Sequence, residues 1–344
     1  YVVYAPLLHG ATEIMYEGAP DYPDVSRMWD ILQKYKVTIF YTTPTALRMF
    51  MKFGDNIPNS FDLSSLRLLG TVGEPINPEV WKWYFKIIGK EKCPIIDTWW
   101  QTETGGMLIS PLPGLETIPL KPGSGTRPIP GVNIAVIDEN GVDVSPNIKG
   151  YLVIKNPWPG MLLTLWGDDE KYKAVYWSKY ENYYYSGDYA LKDEDGYFWL
   201  LGRADDVLKV AGHRIGTAEL ESSIVSNIHV AESAVCGIPD DLKGEVIIAF
   251  VVLKQGVTKS SDDLQKELSD KIRNDIGAIA TPKQIYFVSK LPKTRSGKIM
   301  RRLLKAIANN EKIGDVSTLE DGTAVTEVQS VFDEIQKSIK ENSK

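Results

Sequence analysis

The 344-residue chain holds only two cysteines, Cys93 and Cys236, far apart in sequence. That scarcity excludes a disulfide framework and any cysteine-based metal spacing, and it points to a reducing compartment. Three histidines, His9, His213 and His229, form no spaced metal pair. No run of about 18 apolar residues is present, and the first residues lack the basic and apolar regions of a secretion signal. A cytoplasmic protein with no membrane partner is expected. Acids outnumber bases, 45 to 39, for a net charge of -6, so no general attraction to nucleic acid is expected and any anion binding must be local. There is no G-x-x-x-x-G-K-[ST] loop and no G-x-S-x-G elbow, and Gly123-Ser-Gly125 lacks the third glycine of a dinucleotide fingerprint. Hydrolase and dehydrogenase readings lose ground accordingly.

With 43% hydrophobic and 24% charged residues, the chain has the composition of a globular protein long enough for two or more domains. It opens on an apolar, strand-like run, Tyr1 to Leu8. Val25, Met28, Trp29, Leu32 and Tyr35 then share a helical face, followed by the short apolar run Val37 to Tyr41. Thr43-Pro44 and Asn77-Pro78 are helix starts, with stops near Gly54 and Gly89, and Leu66 to Thr71 lies between them as a buried strand. Such alternation predicts an α/β fold, a parallel sheet covered by helices, with ligands gathering at the carboxyl ends of the strands. After the proline- and glycine-rich stretch 111–131, Val132 to Asp138 and Gly150 to Lys155 predict an antiparallel pair or small barrel. Past a boundary near Asp205 the pattern becomes a compact α+β mixture: Ala218 to Ser226, Val246 to Leu253, Asp262 to Ile276 and Gln284 to Val288. Residues after about 315 read as a polar tail with one weak helix, Val328 to Ile339.

The most informative segment is Asp97-Thr-Trp-Trp-Gln-Thr-Glu-Thr-Gly-Gly106, which combines hydroxyls, a carboxylate, paired indoles and flexible glycines just past a strand end. It reads as a binding site, with an aromatic core corner and polar turn as the plain alternative. Gly73-Glu-Pro75 follows another strand end. Asp188, in Tyr185-Ser-Gly-Asp188, could accept two hydrogen bonds from vicinal hydroxyls or close an Asx turn. Arg203 and Arg214 suit phosphate or an interdomain salt bridge. Between Lys290 and Lys305 stand seven lysines and arginines and no acid. Ile299, Met300, Leu303, Leu304 and Ile307 share one face there, which argues against nucleic acid and predicts a helix docked on its own domain with basic residues on the rim, a solvated basic face being the plain alternative. The small loop Thr294-Arg-Ser-Gly297 delivers one ammonium, Lys298, a point charge suited to a phosphate or a developing oxyanion.

Together, Thr71 to Pro75, Asp97 to Gly106, Pro122 to Pro128, Tyr185 to Asp188, Leu201 to Arg203, Gly212 to Arg214 and Pro292 to Lys298 resemble, in order and spacing, the AMP-forming acetyl-CoA synthetases. These belong to the superfamily of adenylating acyl-CoA synthetases, luciferases and peptide-synthetase adenylation domains. The resemblance implies part of a large adenylate-forming domain over 1–204, a mobile smaller domain over 205–315, and a tail over 316–344. It implies coupling of acetate to coenzyme A through acetyl-AMP, with ATP and coenzyme A as substrates and Mg²⁺ on the phosphates. Residue by residue, Gly73, Glu74, Pro75 and Asp97, Thr98, Trp99, Trp100, Gln101 and Thr102 would hold the nucleotide, with Asp188, Arg203 and Arg214 on ribose and phosphates. Lys298 would be the adenylation lysine and a target of lysine acylation and deacylation enzymes. Asp205 would be the hinge, Val72 and Trp100 the acyl pocket, and Asp21, Ala211 and Arg273 contacts of coenzyme A. Val225, Asn227 and Val230 would form a Mg²⁺ site.

Three positions depart from the pattern. Ala211 stands where many members have serine, Asn227 where histidine is frequent, and Asp21 where asparagine is common. The family's phosphate loop would lie upstream of Tyr1, so the resemblance implies a carboxyl-terminal portion, inactive alone, with an exposed sheet edge. A ligase for propionate or another short acid, and a noncatalytic interaction fragment, stand as alternatives.

Overall fold

Short runs of β-branched and aromatic residues bounded by turns build the first sheet of the computed structural model. The model describes residues 1–240, 242–254, 256–294, 297–309, 311–314, 316–319 and 321–342, with the backbone alone at 331 and 334–342. Strands β1 (Ile39–Thr42), β2 (Leu68–Thr71) and β3 (Ile95–Asp97) lie parallel in that order. They alternate with α2 (Arg27–Lys34), α3 (Pro44–Lys52), α4 (Asn56–Asn59) and α5 (Pro78–Trp83), which runs into a π-helical turn, Tyr84–Ile88. Asn77 caps α5 by accepting a hydrogen bond from the Val80 amide at 3.0 Å. The opening apolar run forms no strand: Tyr4–Leu8 wind into α1, with no buried residue. A continuous apolar run of that length carries no period that separates strand from helix.

The chain divides into two units. One comprises Tyr1–Thr43, Phe53–Ile76 and Trp81–Leu200, the other Pro44–Lys52, Asn77–Val80 and Leu201–Lys344. In the first, the two-residue strand β4 (Trp99–Trp100) pairs antiparallel with β5 (Met107–Ile109). A separate antiparallel sheet runs in the order β6 (Ile134–Ile137), β7 (Lys149–Ile154), β8 (Tyr184–Lys192), β9 (Phe198–Arg203). Its core joins Leu152, Ile154, Tyr184 and Phe198 to Trp99, Ile109 and Trp158. Asp188, expected at a strand end or turn, lies inside β8. Gly187 has φ +73, and the β7–β8 register shifts between Tyr151 and Val153. Such a bulge re-aims a side chain, and pattern reading alone does not reveal it. Helix α6 (Asp169–Tyr176) follows the β7 loop, its N-terminus capped by Asp168.

In the second unit β10 (Leu208–Val210) and β11 (His213–Ile215) form a hairpin turned by Ala211 and Gly212, with φ +47 and +82. Two residues at positive φ make the tight turn that suits strand twist, and alanine adopts it at a cost. The long pair β12 (Val230–Asp240) and β13 (Gly244–Leu253) is antiparallel, and β14 (Gln284–Phe287) joins β13 in parallel. Helices α7 (Thr217–Val225) and α8 (Ser261–Asp275) bury Leu220, Ile224, Leu268 and Ile272 with one set of sheet residues. The second core layer holds Ala234, Phe250 and Tyr286 with Leu304 and Ile307 of α9 (Arg301–Ala308). The segment expected as a polar tail with one weak helix carries the longer α10 (Gly322–Asn342), whose Val328 and Phe332 enter that layer. Two apolar positions four residues apart form a narrow stripe, easily overlooked in a polar sequence. Among the described residues, no helix is long and apolar enough to cross a membrane.

Gly70 faces Tyr41 across β1 and β2, and a Cβ there would stand 1.9 Å from Tyr41 Cδ2. Gly70→Ala is expected to displace the Tyr41 ring and cost about 1–3 kcal/mol. A lowered urea midpoint at unchanged slope is the check.

Candidate nucleotide and acyl site

The three parallel strands end level at Thr42, Thr71 and Asp97, and the chain past them is held down. Val72 N donates to Thr42 O at 3.1 Å, and Thr98 N to Thr71 O at 3.2 Å. Gly73, at φ +104, then turns the chain into Glu74-Pro75. Val72 and Thr98 therefore stand side by side at the edge where open α/β sheets bind ligands. A chain of hydroxyls runs beneath them: Tyr1 to Tyr41 at 2.6 Å, and Tyr41 to Thr98 at 2.8 Å.

Successive strand residues point to opposite faces, and in β4 this sends the two indoles to different tasks. Trp99 is buried in the antiparallel sheet's core, its Nε1 donating to Asp188 Oδ2 at 3.0 Å. Trp100 meets Tyr1 edge to face, with centroids 5.1 Å apart and planes at 84°. Gln101 is held at both ends of its amide. Its Nε2 donates to Ser186 O at 2.6 Å and to Asp188 Oδ2 at 3.2 Å, while its Oε1 accepts from Tyr184 at 3.0 Å. Thr104 Oγ1 accepts from Gln101 N at 2.9 Å and has one proton to share between Gln101 O and Gly106 O, closing the turn of Thr102 and Glu103. Tyr176 donates to the Glu103 carboxylate, and its ring stacks on Tyr184 at 5.2 Å.

Burial pushes the Asp97 carboxyl up to about 7. The same cause pushes the Tyr41 and Tyr184 hydroxyls far up, so both remain neutral donors. The first unit thus gathers Val72 and Asp97 to Thr102 at or just past hydrogen-bonded strand ends, with Asp188 joined to Trp99 and Gln101 from inside β8. Tyr1, Tyr41, Tyr176, Tyr184 and Ser186, which hold those residues in place, went unassigned in sequence. Ser186 and Tyr184 sit beside or within the Tyr185 to Asp188 string, and that adjacency was the available signal. Asp21 lies apart, half-buried in the turn before α2.

In the second unit Arg203 ends β9, and Arg214 faces Lys209 across the β10–β11 hairpin. Asp205 is exposed in a 3-10 turn, Ala204–Asp206. Burial raises the neighbouring Asp206 carboxyl, a shift opposed by Arg301 and Arg203 and reinforced by Glu221 and Asp205. Ala211 N donates to Lys243 O at 2.7 Å. Arg273 lies on the exposed side of α8, opposite Leu268 and Ile272. Val225, Asn227 and Val230 stand where α7 passes into β12. The Asn227 amide donates to Glu267 Oε1 at 2.8 Å and accepts from His229 N at 2.9 Å. A cation at this trio would therefore draw on backbone carbonyls, oxygen donors acceptable to Mg²⁺. No group of three or more His, Cys, Asp or Glu poised for a metal occurs among the described residues. Lys298 is exposed, and Arg295 and Ser296 of the loop expected to deliver it lie outside the described residues.

Two family models match the chain, the AMP-binding enzyme over residues 1–166 and the AMP-binding enzyme C-terminal domain over residues 219–298. The chain belongs to the AMP-binding enzymes. Among the chain's relatives, a protein named acetyl-coenzyme A synthetase from Pyrobaculum aerophilum is 60% identical over 98% of the chain and 50% of its own length. One of the same name from Streptomyces coelicolor is 56% identical over 96% of the chain and 50% of its own length. The chain spans about half the length of the curated relatives it matches. The crystal structure of the anthranilate CoA ligase AuaEII with anthranoyl-AMP superposes with a TM-score of 0.77, at 30% identity, covering 88% of this chain and 55% of that one. The adenylate-forming α/β fold expected from the sequence is the fold found.

The raised Asp97 gives a signed pH dependence. Between its ordinary 3.8 and about 7, the folded protein keeps a proton that the unfolded chain has released. This group's contribution is thus complete below pH 3.8 and is lost as pH rises through 7. The loss totals roughly 4 kcal/mol. Asp97→Asn should remove it, so that the stability difference between parent and variant changes from pH 5 to pH 8 in urea titrations. A difference independent of pH would contradict the buried proton.

Proposed function

We propose that this chain serves an AMP-forming acetate–CoA ligase. The enzyme activates acetate with ATP to acetyl-AMP and pyrophosphate, then transfers the acetyl group to coenzyme A with release of AMP. The observation that carries the reading is the wall in which Trp99 and Gln101, beside Trp100, are joined to Asp188 of β8. Such a wall offers an indole to a small acyl group and a carboxylate to a ribose. The identity to proteins named acetyl-coenzyme A synthetase supports acetate as the acid.

In the first step an acetate oxygen attacks the α-phosphorus and the bond to pyrophosphate breaks. Gly73, Glu74, Pro75 and Asp97 to Thr102 bind the nucleotide, and Asp188 takes the ribose hydroxyls. Arg203 and Arg214 place planar guanidinium groups on ribose and phosphate. The Lys298 ammonium stabilises charge growing between carboxylate and α-phosphate. Mg²⁺ supplies charge neutralisation on the leaving pyrophosphate when bound with ATP. Val225, Asn227 and Val230 would be a further place to hold the ion. In the second step the thiolate of coenzyme A attacks the acyl carbon and AMP departs, with Asp21, Ala211 and Arg273 as contacts. Asp205 is the hinge about which the second unit turns between the steps.

Acetate selection falls to Val72 and Trp100. One methylene in an apolar pocket is worth only about 1–3 kcal/mol, so exclusion by a rigid indole is the stronger filter. In the full-length protein Trp100→Gly should admit longer acids in acid-dependent pyrophosphate exchange; an unchanged chain-length preference would sink the pocket assignment. Lys298→Ala should lower that exchange by at least about 100-fold yet leave thioester formation from supplied acetyl-AMP near the parent rate. Equal loss in both steps would refute its role.

A further inference from the structure

The hairpin that carries Lys298 is closed by its own backbone. Thr294 N donates to Lys298 O at 2.8 Å, Gly297 N to Thr294 O at 2.8 Å, and Met300 N to Pro292 O at 2.9 Å. Lys298 N donates to the Thr294 hydroxyl at 3.1 Å, and Lys293 bridges to Ile299. Gly297, at φ +84, permits the turn.

Both shoulders of this hairpin are anchored by ion pairs to the same body. On the entering strand, Lys293 Nζ reaches Glu232 Oε1 of β12 at 2.8 Å. Immediately past the exit, Arg301 opens α9 and grips Glu221 of α7 with two tines, Nε to Oε1 at 2.8 Å and Nη2 to Oε2 at 2.6 Å. Glu221 is only 8% exposed, and its Oε1 also accepts the Val235 amide of β12 at 2.9 Å. Helix α7, strand β12 and helix α9 thus meet at one carboxylate, and the arginine that grips it stands three residues past Lys298.

Docking of α9 does not require this arrangement, because Leu303, Leu304, Ala306, Ile307 and Ala308 already bury its apolar face. A nearly buried ion pair adds little net stability over apolar residues of similar size. What a planar two-point contact adds is orientation. Apolar packing tolerates small rotations of a short helix about its axis. The Arg301–Glu221 fork does not, and such a rotation swings the hairpin.

We propose that the Arg301–Glu221 fork, seconded by Lys293–Glu232, is a positioning device that sets where the Lys298 ammonium stands. It acts on the adenylation step and leaves the thioester step alone. The inference rests on the adenylation role of Lys298 proposed above.

The test is the full-length Arg301→Met/Glu221→Gln protein, in which the amide still accepts from Val235 and no buried charge is stranded. Acetate-dependent pyrophosphate exchange should lose about 10- to 100-fold in kcat, the size of a misplacement near 1 Å. KM for ATP and for acetate should stay within about twofold. Thioester formation from supplied acetyl-AMP and coenzyme A should be unchanged. Arg301→Lys, which keeps the charge and loses the fork, should fall short of the parent in exchange. Independently of activity, amide hydrogen exchange at Gly297, Lys298 and Met300 should accelerate in the double variant while the β12–β13 amides keep their protection. Unchanged pyrophosphate exchange, equal loss in both steps, or unaltered hairpin amides would each overturn the proposal. Should the parent protein itself show no pyrophosphate exchange, the functional reading fails, and the hairpin amides still decide whether the fork anchors the loop.

Discussion

The side-chain amide of Gln101 ties the end of the parallel sheet to the middle of the antiparallel one. It donates to the Ser186 carbonyl and the Asp188 carboxylate on β8 and accepts from Tyr184. Few other side chains could do this, because the task needs a donor and an acceptor at fixed separation. The orientation of Trp100, the packing of Trp99 against Asp188 and the closure of the Thr102 turn follow from where Gln101 sits. Tyr184 completes the junction through its fully buried ring, stacked on Tyr176.

Polar groups out of water organise both units, in different ways. In the first, buried hydroxyls and a carboxyl whose ionisation burial opposes line the strand ends, and low polarity keeps the hydroxyls neutral. In the second, charge is retained and paired: Glu221 with Arg301, Glu232 with Lys293. Neutral networks suit the recognition of a base or a small acyl group. Paired charges suit the fixing of an element that delivers one exposed ammonium.

Much of this was legible in the sequence where a residue type or period has one physical meaning. Asn77-Pro78 announced α5, and β1 and β2 stood out as apolar runs. The strings around Gly73, Asp97 and Asp188 marked the candidate site. Other features escaped because their cause is not local. Tyr1 to Leu8 lacks a period, so its helix could not be told from a strand. The bulge that turns Asp188 inward depends on the pairing of β7 with β8. The apolar stripe of α10 has meaning only against the core that Tyr286 and Leu304 provide.

The sequence by itself determined the chemistry available: which hydroxyls, carboxylates, indoles and cations stand near strand ends and loops, and the adenylate-forming family their spacing resembles. Tertiary structure decided which of them act together. Hydrogen bonds of 2.6 to 3.2 Å join Gln101 to residues more than eighty positions away. The fork between Glu221 and Arg301 likewise closes over a separation of 80 residues. Contacts of that range are set by packing and register, which no local pattern encodes.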